Sequence, residues 1–296
     1  MIRALLLSLL LVLGGCGSKP APPPSPTRDA DPALWVVRDA DTTIYLFGTV
    51  HLMKPGLTWF DEGVRKAFDA SGELVLELVM PPEDQMQALI AELGTAKSGP
   101  PLSAQLPPPV AAKLHAELSR LGMSADALDR NEPWLAAVTL SVLPLRQLGY
   151  DDKDGAEQVL SAAARAAGKP TRGLETARQQ FGYFDKLSMP AQRQLLATTL
   201  DDLPRMGAEI DTMVKDWSAG DADALARLLN ADLDRTPELK QALLVTRNRN
   251  WANWIAQRMH QPGTVFVAVG AGHLAGSDSV QAELAKRGLK VERVRY

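Results

Sequence analysis

The sequence contains very little cysteine, and its positive and negative charges are nearly balanced. Its 296 residues include one cysteine, at position 16, and four histidines. A single cysteine excludes an intramolecular disulfide in any compartment. Lysine and arginine number 32 against 35 acidic residues, which gives a net charge of −3. No basic stripe stands out, so we expect no nucleic-acid partner.

Sequence signatures of several common enzyme classes are also missing. The chain has no G-x-x-x-x-G-K-[ST] phosphate loop, no complete G-x-G-x-x-G and no G-x-S-x-G nucleophile elbow. These absences argue against P-loop and dinucleotide binding and against a serine hydrolase of the nucleophile-elbow type. No tandem repeat indicates a solenoid. The 46% hydrophobic and 23% charged residues are typical of a globular domain.

The first residues have the pattern of a secretory signal. Arg3 precedes an apolar run over 4–13, which is too short to span a bilayer as a mature helix. Leu13-Gly14-Gly15-Cys16 follows and resembles the lipobox of bacterial lipoproteins. The alternative is an ordinary signal peptide with an incidental cysteine. We predict that residues 1–15 are removed and that Cys16 carries a lipid anchor to the membrane.

A proline-rich linker over 16–33 follows the predicted lipid site. It contains six prolines, at 20, 22, 23, 24, 26 and 32. Proline removes backbone donors and favours extended geometry, so this segment is expected to be a spacer without a core. Gly17 and Ser18 come directly after the cysteine, with no aspartate. By resemblance to Gram-negative sorting signals, this favours the outer membrane, with the protein facing the periplasm.

The remaining chain, 34–296, is predicted to form one α/β domain. Strands are predicted over 34–38 and 42–47, paired as a hairpin, and over 73–79, 169–173, 263–269 and 289–294. Helices are predicted over 59–70, 155–168 and 277–287, with long helical regions over 83–150 and 176–260. We expect the N- and C-terminal strand–helix–strand parts to share one mixed sheet. The mostly helical middle would be an insertion or cap.

Two distant segments share one local pattern. Residues 44–52 and 266–274 are each an apolar strand that ends in G-x-x-H-L, with His51 and His273 at equivalent places and the glycines, Gly48 and Gly270, 222 residues apart. Glycine at a strand end allows a sharp turn or a close approach to a ligand. Ligands of open α/β sheets bind beyond the carboxyl ends of the strands. The pattern therefore predicts that both imidazoles meet in one site, although either histidine could instead be a core residue bonded to backbone.

A buried acid could complete this site. Glu77 lies within the apolar strand ELVLELV, where a carboxylate is costly unless it is paired, hydrogen-bonded or bound to a metal. Two histidines and one glutamate form a known catalytic metal set that leaves a position open for water. The alternative is that Glu77 stands on an edge strand and faces water.

The segments around these residues resemble the TraB/GumN family. The resemblance covers roughly 34–296, and its motifs occur in the family's order: Gly48-Thr49-Val50-His51, Glu77, Gly155-Ala156-Glu157, Gly173-Leu174-Glu175-Thr176, Arg247-Asn248-Arg249 and Gly270-Ala271-Gly272-His273. The family includes pheromone-shutdown proteins, a protein of polysaccharide gene clusters, and the Tiki proteins, which act as metal-dependent proteases. The resemblance implies a fold related to the erythromycin-esterase and ChaN-like proteins. Members often carry Gly-Val-Asp or Gly-Val-Glu where this chain has Gly155-Ala156-Glu157, and the acid is kept.

Four further residues are candidates with an ordinary structural alternative. Glu157 and Glu175 would be additional ligands or would orient the ligands, but each could also stabilise a helix N-terminus. Arg247 and Arg249 would orient a carboxylate or bind a developing oxyanion, but each could also lie on a solvated face.

The function expected from these patterns is a metal-dependent hydrolase of the cell envelope that cleaves peptide or other acyl bonds. Its catalytic residues would be His51, Glu77, His273, Glu175, Arg247 and Arg249. A divalent metal (Zn, Mn or Co) would be held by His51, Glu77, His273 and Glu157, and would activate water. The alternative is a non-catalytic envelope lipoprotein that binds a peptide, haem or metal in the same pocket.

Overall fold

The computed structural model describes residues 27–230, 233 and 236–296. The predicted signal peptide over 1–15 and the predicted lipid site at Cys16 lie outside the described residues. Among the described residues, no helix combines the length and apolarity that a membrane span requires.

A six-stranded mixed sheet is the centre of the described part. Its order is β6-β5-β7-β3-β2-β8, and a separate two-stranded sheet pairs β1 with β4. The strands are β1 Arg28–Asp29, β2 Leu34–Arg38, β3 Thr42–Thr49, β4 Leu57–Thr58, β5 Glu73–Leu78, β6 Thr171–Glu175, β7 Gly263–Gly270 and β8 Val291–Arg293. The strands β6, β5, β7 and β3 are mutually parallel, whereas β2 is antiparallel to both β3 and β8.

Helices cover both faces of this sheet and form the middle of the described chain. They are α1 Glu62–Ala70, α2 Glu83–Gly94, α3 Pro108–Arg120, α4 Pro133–Gln147, α5 Ala156–Ala166, α6 Ala177–Asp185, α7 Met189–Asp202, α8 Met206–Ser218, α9 Ala222–Asn230, α10 Pro237–Lys240, α11 Thr246–Arg258 and α12 Val280–Ala285. A π-helical segment, Gln241–Val245, joins α10 to α11. Many of the breaks follow the sequence: proline starts α3, α4 and α10 at their first turns, where its missing N–H costs no hydrogen bond.

The alternation of side chains along the central strands separates two cores. In β7, Phe266 and Ala268 belong to the core formed with the middle helices, and Val265, Val267 and Val269 belong to the core formed with α11 and α12. Strands covered on both faces read as continuous apolar runs, as β7 does. A polar side chain on one of these strands therefore lies on the face that its position in the alternation gives it.

The predicted fold class is confirmed: the chain forms a mixed α/β sheet with a helical middle region. The predicted hairpin pairs Leu34 with Phe47 and Arg38 with Thr43. Some strand bounds depart from the prediction: β6 covers 171–175 rather than 169–173, β8 covers 291–293 rather than 289–294, and β3 extends to Thr49 rather than ending at 47. The last helix is also shorter than predicted, since α12 ends at Ala285.

The end of the predicted linker packs against the domain. Arg28 and Asp29 form β1 beside Leu57 and Thr58, and Ala30 is buried. The backbone of Asp31 donates to the carbonyl of Ser218 at the end of α8. The segment over 28–33 is therefore attached to the loop that follows β3, which carries His51.

Candidate functional site

Four of the predicted site residues lie at one edge of the sheet. His51 follows the end of β3, Glu77 is the penultimate residue of β5, Glu175 is the last residue of β6, and His273 follows β7. Because these strands are parallel, their carboxyl ends share one edge. The strands β3 and β7 are direct neighbours in register from Thr42↔Gly263 to Thr49↔Gly270. The structure therefore places both G-x-x-H-L segments at the ends of adjacent strands.

The two predicted backbone glycines have different surroundings. A Cβ on Gly48 would lie 3.0 Å from the Cα of Ala271, so a side chain there would press the two strand ends apart. The Gly48 carbonyl also accepts a hydrogen bond from Nε1 of Trp217 at 2.7 Å. Gly270 has an ordinary φ of −50°, and its N–H donates to Oε1 of Glu77 at 2.6 Å. Close approach explains Gly48, whereas Gly270 contributes a backbone donor.

Arg247, on α11, is the centre of a buried ionic network. Its Nε donates to Oε1 of Glu175 at 2.9 Å, and its Nη2 donates to Oε2 of Glu175 at 2.9 Å and to Oε2 of Glu77 at 2.6 Å. Its Nη1 lies 3.2 Å from Nε2 of His273. The guanidinium also lies over the ring of Trp251, 4.7 Å from the ring centroid. The Arg247 side chain is fully buried, so these contacts must replace its hydration.

The face of β5 explains why Glu77 reaches this network. Leu74, Leu76 and Leu78 point into the core of the middle helices, so Glu77 points toward α11. Gln180 of α6 donates a further hydrogen bond to Oε2 of Glu77 at 3.2 Å. The strand β5 lies between β6 and β7, and Glu77 is 4% exposed. The edge-strand alternative for Glu77 is therefore wrong.

His273 is held between Arg247 and the next residue of α11. Its Nδ1 lies 2.6 Å from Oδ1 of Asn248, and Nδ2 of Asn248 donates to the carbonyl of Asp278 at 2.6 Å. The imidazole packs against Trp251 with 4.4 Å between ring centroids. His273 thus contacts the same helix through both ring nitrogens and one ring face.

His51 has a carboxylate as its neighbour. Its Nδ1 lies 2.6 Å from Oε1 of Glu157, and both side chains are buried. The helix α5 brings Glu157 to this place, since the N–H of Ala156 donates to the carbonyl of Val50 at 3.0 Å. A Cβ on Gly155 would lie 2.0 Å from the carbonyl oxygen of His51. The helix can therefore approach the strand end this closely only with glycine at 155.

The ionisable groups of the site influence one another. Burial raises the pKa of Glu77, against the opposing charges of Arg247 and His51. Burial also raises the pKa of Glu157, but the charge of His51 and contacts with His51 and Thr49 outweigh it and hold that pKa below its usual value. Burial, the Arg247 cation and His51 together hold the pKa of His273 well below its usual value. The arrangement thus keeps His273 neutral and Glu157 ionised.

Glu175 and Arg249 differ from the predictions in instructive ways. The helix-capping alternative for Glu175 is wrong, because Thr176 caps α6 in a reciprocal capping box with Gln179. Glu175 instead pairs with Arg247 and accepts from Nε1 of Trp251 at 3.0 Å. Arg249 is exposed; two residues along a helix from Arg247, it points away from the cluster. The structure does not bring Arg249 to the site.

Sequence reasoning missed Gln180 and Asn248 as contributors. Gln180 lies in the buried stripe of α6 with Ala177, Phe181 and Phe184, at helical spacing. A lone polar residue in an apolar stripe is a signal that could have identified it. Asn248 was present in the Arg-Asn-Arg segment, but nothing in that segment indicates a contact with His273.

The predicted metal ligands are engaged with other groups in this arrangement. Both oxygens of Glu77 and Nε2 of His273 face N–H donors, and Nδ1 of His51 faces Glu157. In the described part of the chain, no group of three or more His, Cys, Asp or Glu side chains is placed to hold a metal ion. Because Glu77 already pairs with Arg247, His273 faces the same cation and Glu157 lies against His51, the side chains as placed do not fit a metal. The divalent metal stays a prediction.

Comparisons with known proteins give the family. The sequence matches the TraB/PrgY/gumN family over residues 33–293. It is similar to an uncharacterised protein of Treponema pallidum (strain Nichols), at 24% identity over 291 residues that cover 90% of this chain and 84% of that protein. No solved structure matches the chain. With nearly the whole described domain matched, the chain belongs to the TraB/PrgY/gumN family.

Proposed function

We propose that the chain is a hydrolase of the cell envelope that cleaves peptide or other acyl bonds, with its catalytic centre at this cluster. The observation that carries the proposal is the His51–Glu157 pair, with 2.6 Å between Nδ1 and Oε1, buried beside the Arg247 network. An imidazole held by a carboxylate is the arrangement that general-base catalysis uses, because the carboxylate orients the ring and stabilises the imidazolium.

The proposed reaction uses the groups of this chain in three roles. His51 would take a proton from a water molecule as its oxygen attacks the acyl carbon, and Glu157 would stabilise the imidazolium that forms. Arg247 would stabilise the negative charge that develops on the acyl oxygen. When the tetrahedral intermediate collapses, the C–N or C–O bond breaks and His51 returns the proton to the leaving group.

The cost of the cluster supports a function beyond stability. Removing a charge from water costs several kcal/mol, and a buried ion pair is often no more stable than apolar residues of equal volume. This site buries one arginine, three glutamates and two histidines at the carboxyl ends of four parallel strands. Buried groups with perturbed pKa values at such an edge are frequently functional.

The proposed location is the envelope, with the domain anchored by a lipid on Cys16 after loss of residues 1–15 and facing the periplasm from the outer membrane. The variant Cys16→Ser should move the protein from membrane to soluble fractions and abolish the lipid mass on the N-terminal peptide. Membrane retention of the variant, with no lipid mass on the wild type, would contradict the anchor.

The hydrolase is tested with purified full-length protein on peptide libraries and acyl esters, with and without added Zn, Mn or Co and with elemental analysis. We expect His51→Ala and Glu157→Gln to reduce turnover by about 10²- to 10⁴-fold, the range contributed by general acid–base groups. His115→Ala and His260→Ala are matched controls, because both side chains are exposed. Both should keep wild-type activity.

A wild-type protein that cleaves none of these substrates under any metal condition would overturn the hydrolase. The non-catalytic alternative, an envelope protein that binds a peptide, haem or metal, would then be favoured. Binding of haem or metal to the wild type and not to His51→Ala would support it directly.

A further inference from the structure

We propose that Asn248 is a positioning residue that fixes His273 as the neutral tautomer protonated on Nδ1. In this tautomer, His273 acts as a hydrogen-bond acceptor that orients Arg247, and not as a proton acceptor for the reaction. The role assigned to Arg247 rests on the hydrolase proposed above, whereas the tautomer itself does not depend on any activity.

One end of the hydrogen-bond chain fixes the orientation of Asn248. The carbonyl oxygen of Asp278 can only accept, and it lies 2.6 Å from one terminal atom of the Asn248 amide. That atom must be the donor Nδ2, so the amide oxygen Oδ1 faces Nδ1 of His273 at 2.6 Å. Since Oδ1 can only accept, Nδ1 of His273 must carry the proton.

The other end of the chain gives the same answer independently. The Arg247 guanidinium can only donate, and its Nη1 lies 3.2 Å from Nε2 of His273. A proton on Nε2 would place two donors against each other, so Nε2 must present its lone pair. The chain therefore has one direction, from Arg247 through His273 and Asn248 to the carbonyl of Asp278.

The surroundings keep the ring in this orientation. His273 is 2% exposed and Asn248 is fully buried. The Trp251 ring packs against the imidazole at an interplanar angle of 51°, with 4.4 Å between centroids. Turning the ring over would move both nitrogens away from their partners, and the buried donors and acceptors would then be left unsatisfied, which is costly away from water.

The consequence is a division of labour between the two histidines. The lone pair on Nε2 of His273 faces Nη1 of Arg247, and the Nε and Nη2 donors of Arg247 are held by Glu175 and Glu77. His273 is thus the third side chain, after Glu175 and Glu77, that fixes the orientation of the guanidinium. An electrostatic stabiliser is effective when its position is set before the reaction, so Asn248 would support catalysis through His273 and Arg247 without contacting substrate.

The tautomer can be measured directly by ¹⁵N NMR on the full-length protein labelled at histidine. We expect one imidazole, absent from His273→Gln, with a protonated-type shift at Nδ1 and a lone-pair-type shift at Nε2. The variant Asn248→Ala should lose this pattern, whereas Asn248→Asp, which keeps an acceptor oxygen for Nδ1 but loses the donor to the Asp278 carbonyl, should keep Nδ1 protonated. Asn250→Ala, exposed on the same helix, should leave the spectrum unchanged.

Turnover supplies the second readout. Asn248→Ala should lower kcat by about 10- to 100-fold, as loss of a partner that orients a functional group does. Asn248→Asp should recover part of that loss, and KM should change little because Asn248 does not touch substrate.

The proposal would be overturned by a His273 signal with the proton on Nε2 or on both nitrogens, or by Asn248→Ala leaving the spectrum unchanged. The wild-type spectrum decides the tautomer even if Asn248→Ala fails to fold. An inactive protein with the Nδ1–H pattern would contradict the proposed hydrolase and support the proposed tautomer of His273. An active protein with an Nε2–H signal would support the hydrolase and contradict the tautomer.

Discussion

The two G-x-x-H-L segments start from the same pattern and end in opposite chemical surroundings. Both follow strands that are neighbours in the sheet. His51 then lies against a carboxylate, with Nδ1 2.6 Å from Glu157. His273 lies between a neutral amide, Asn248, and the cation Arg247. A carboxylate stabilises a protonated imidazole, whereas an arginine opposes protonation.

This difference assigns separate duties to two residues that the motif makes look equivalent. In the proposed mechanism the half of the site around His51 exchanges a proton, because a carboxylate next to an imidazole stabilises the charged ring. The half around His273 is organised by a fixed cation, because Arg247 is paired there with Glu77 and Glu175. A shared sequence pattern therefore sets where a histidine lies, and the helix that packs against it sets what the histidine does.

The largest expected effect comes from breaking the half around His273. Arg247→Met leaves Glu77 and Glu175 buried without a cation, and losing one partner of a buried ion pair costs about 3–5 kcal/mol. Arg249→Met is the matched control, because Arg249 is exposed on the same helix, and it should change stability by less than about 0.5 kcal/mol. Urea unfolding followed by circular dichroism measures both. Equal stabilities of the two variants would show that the network does not hold the fold.

A smaller effect is expected from moving the half around His51. In Gly155→Ala the new methyl group would overlap the His51 carbonyl oxygen at 2.0 Å, so α5 and Glu157 must shift. We expect a loss of about 1–3 kcal/mol, as overpacking usually costs, and lower activity. Gly182→Ala is the control, because a Cβ there meets nothing within 4 Å. Within α6 it should be neutral or stabilise by up to about 1 kcal/mol. A Gly155→Ala protein with wild-type stability and activity would contradict the close fit between α5 and the His51 loop.

The smallest effect is a pH dependence that separates the two halves. The pKa of His273 is lowered below 6.5 in the folded chain, so the unfolded chain binds this proton first as the pH falls. The free energy of unfolding should therefore decrease below about pH 6.5, by at most about 1.4 kcal/mol per pH unit. The pKa of Glu157 is lowered below 4.5, so its stabilisation is present above that pH and is lost only as the pH falls below it.

Denaturant unfolding across pH checks this separation. At about pH 6, the free energy of unfolding of His273→Gln should depend less on pH than that of the wild type. Glu157→Gln should keep the wild-type dependence in this range. Below about pH 4.5 the difference between wild type and Glu157→Gln should shrink. A slope near neutrality that survives in His273→Gln would assign it to another group and remove the distinction between the two histidines.

The sequence by itself determined the fold class and which strand ends meet at one edge of the sheet. Apolar runs flanked by turn residues indicated the strands, and two strands ending in the same G-x-x-H-L pattern indicated a shared edge, because parallel strands align their carboxyl ends. The glutamate inside ELVLELV was identifiable for a related reason: alternation put three leucines on one face and left Glu77 on the other, where an acid needs a partner.

Only the tertiary structure decided which residue that partner is and what each histidine contacts. Arg247 is 170 residues from Glu77 in the chain. Arg249 is an arginine only two residues further along, and only the orientation of the helix shows which of the two reaches Glu77. The roles of Asn248 and Gln180 also depended on which helix packs over which strand end. Hydrogen-bond direction and burial are properties of groups brought together across the fold, and a linear pattern of residue types does not contain them.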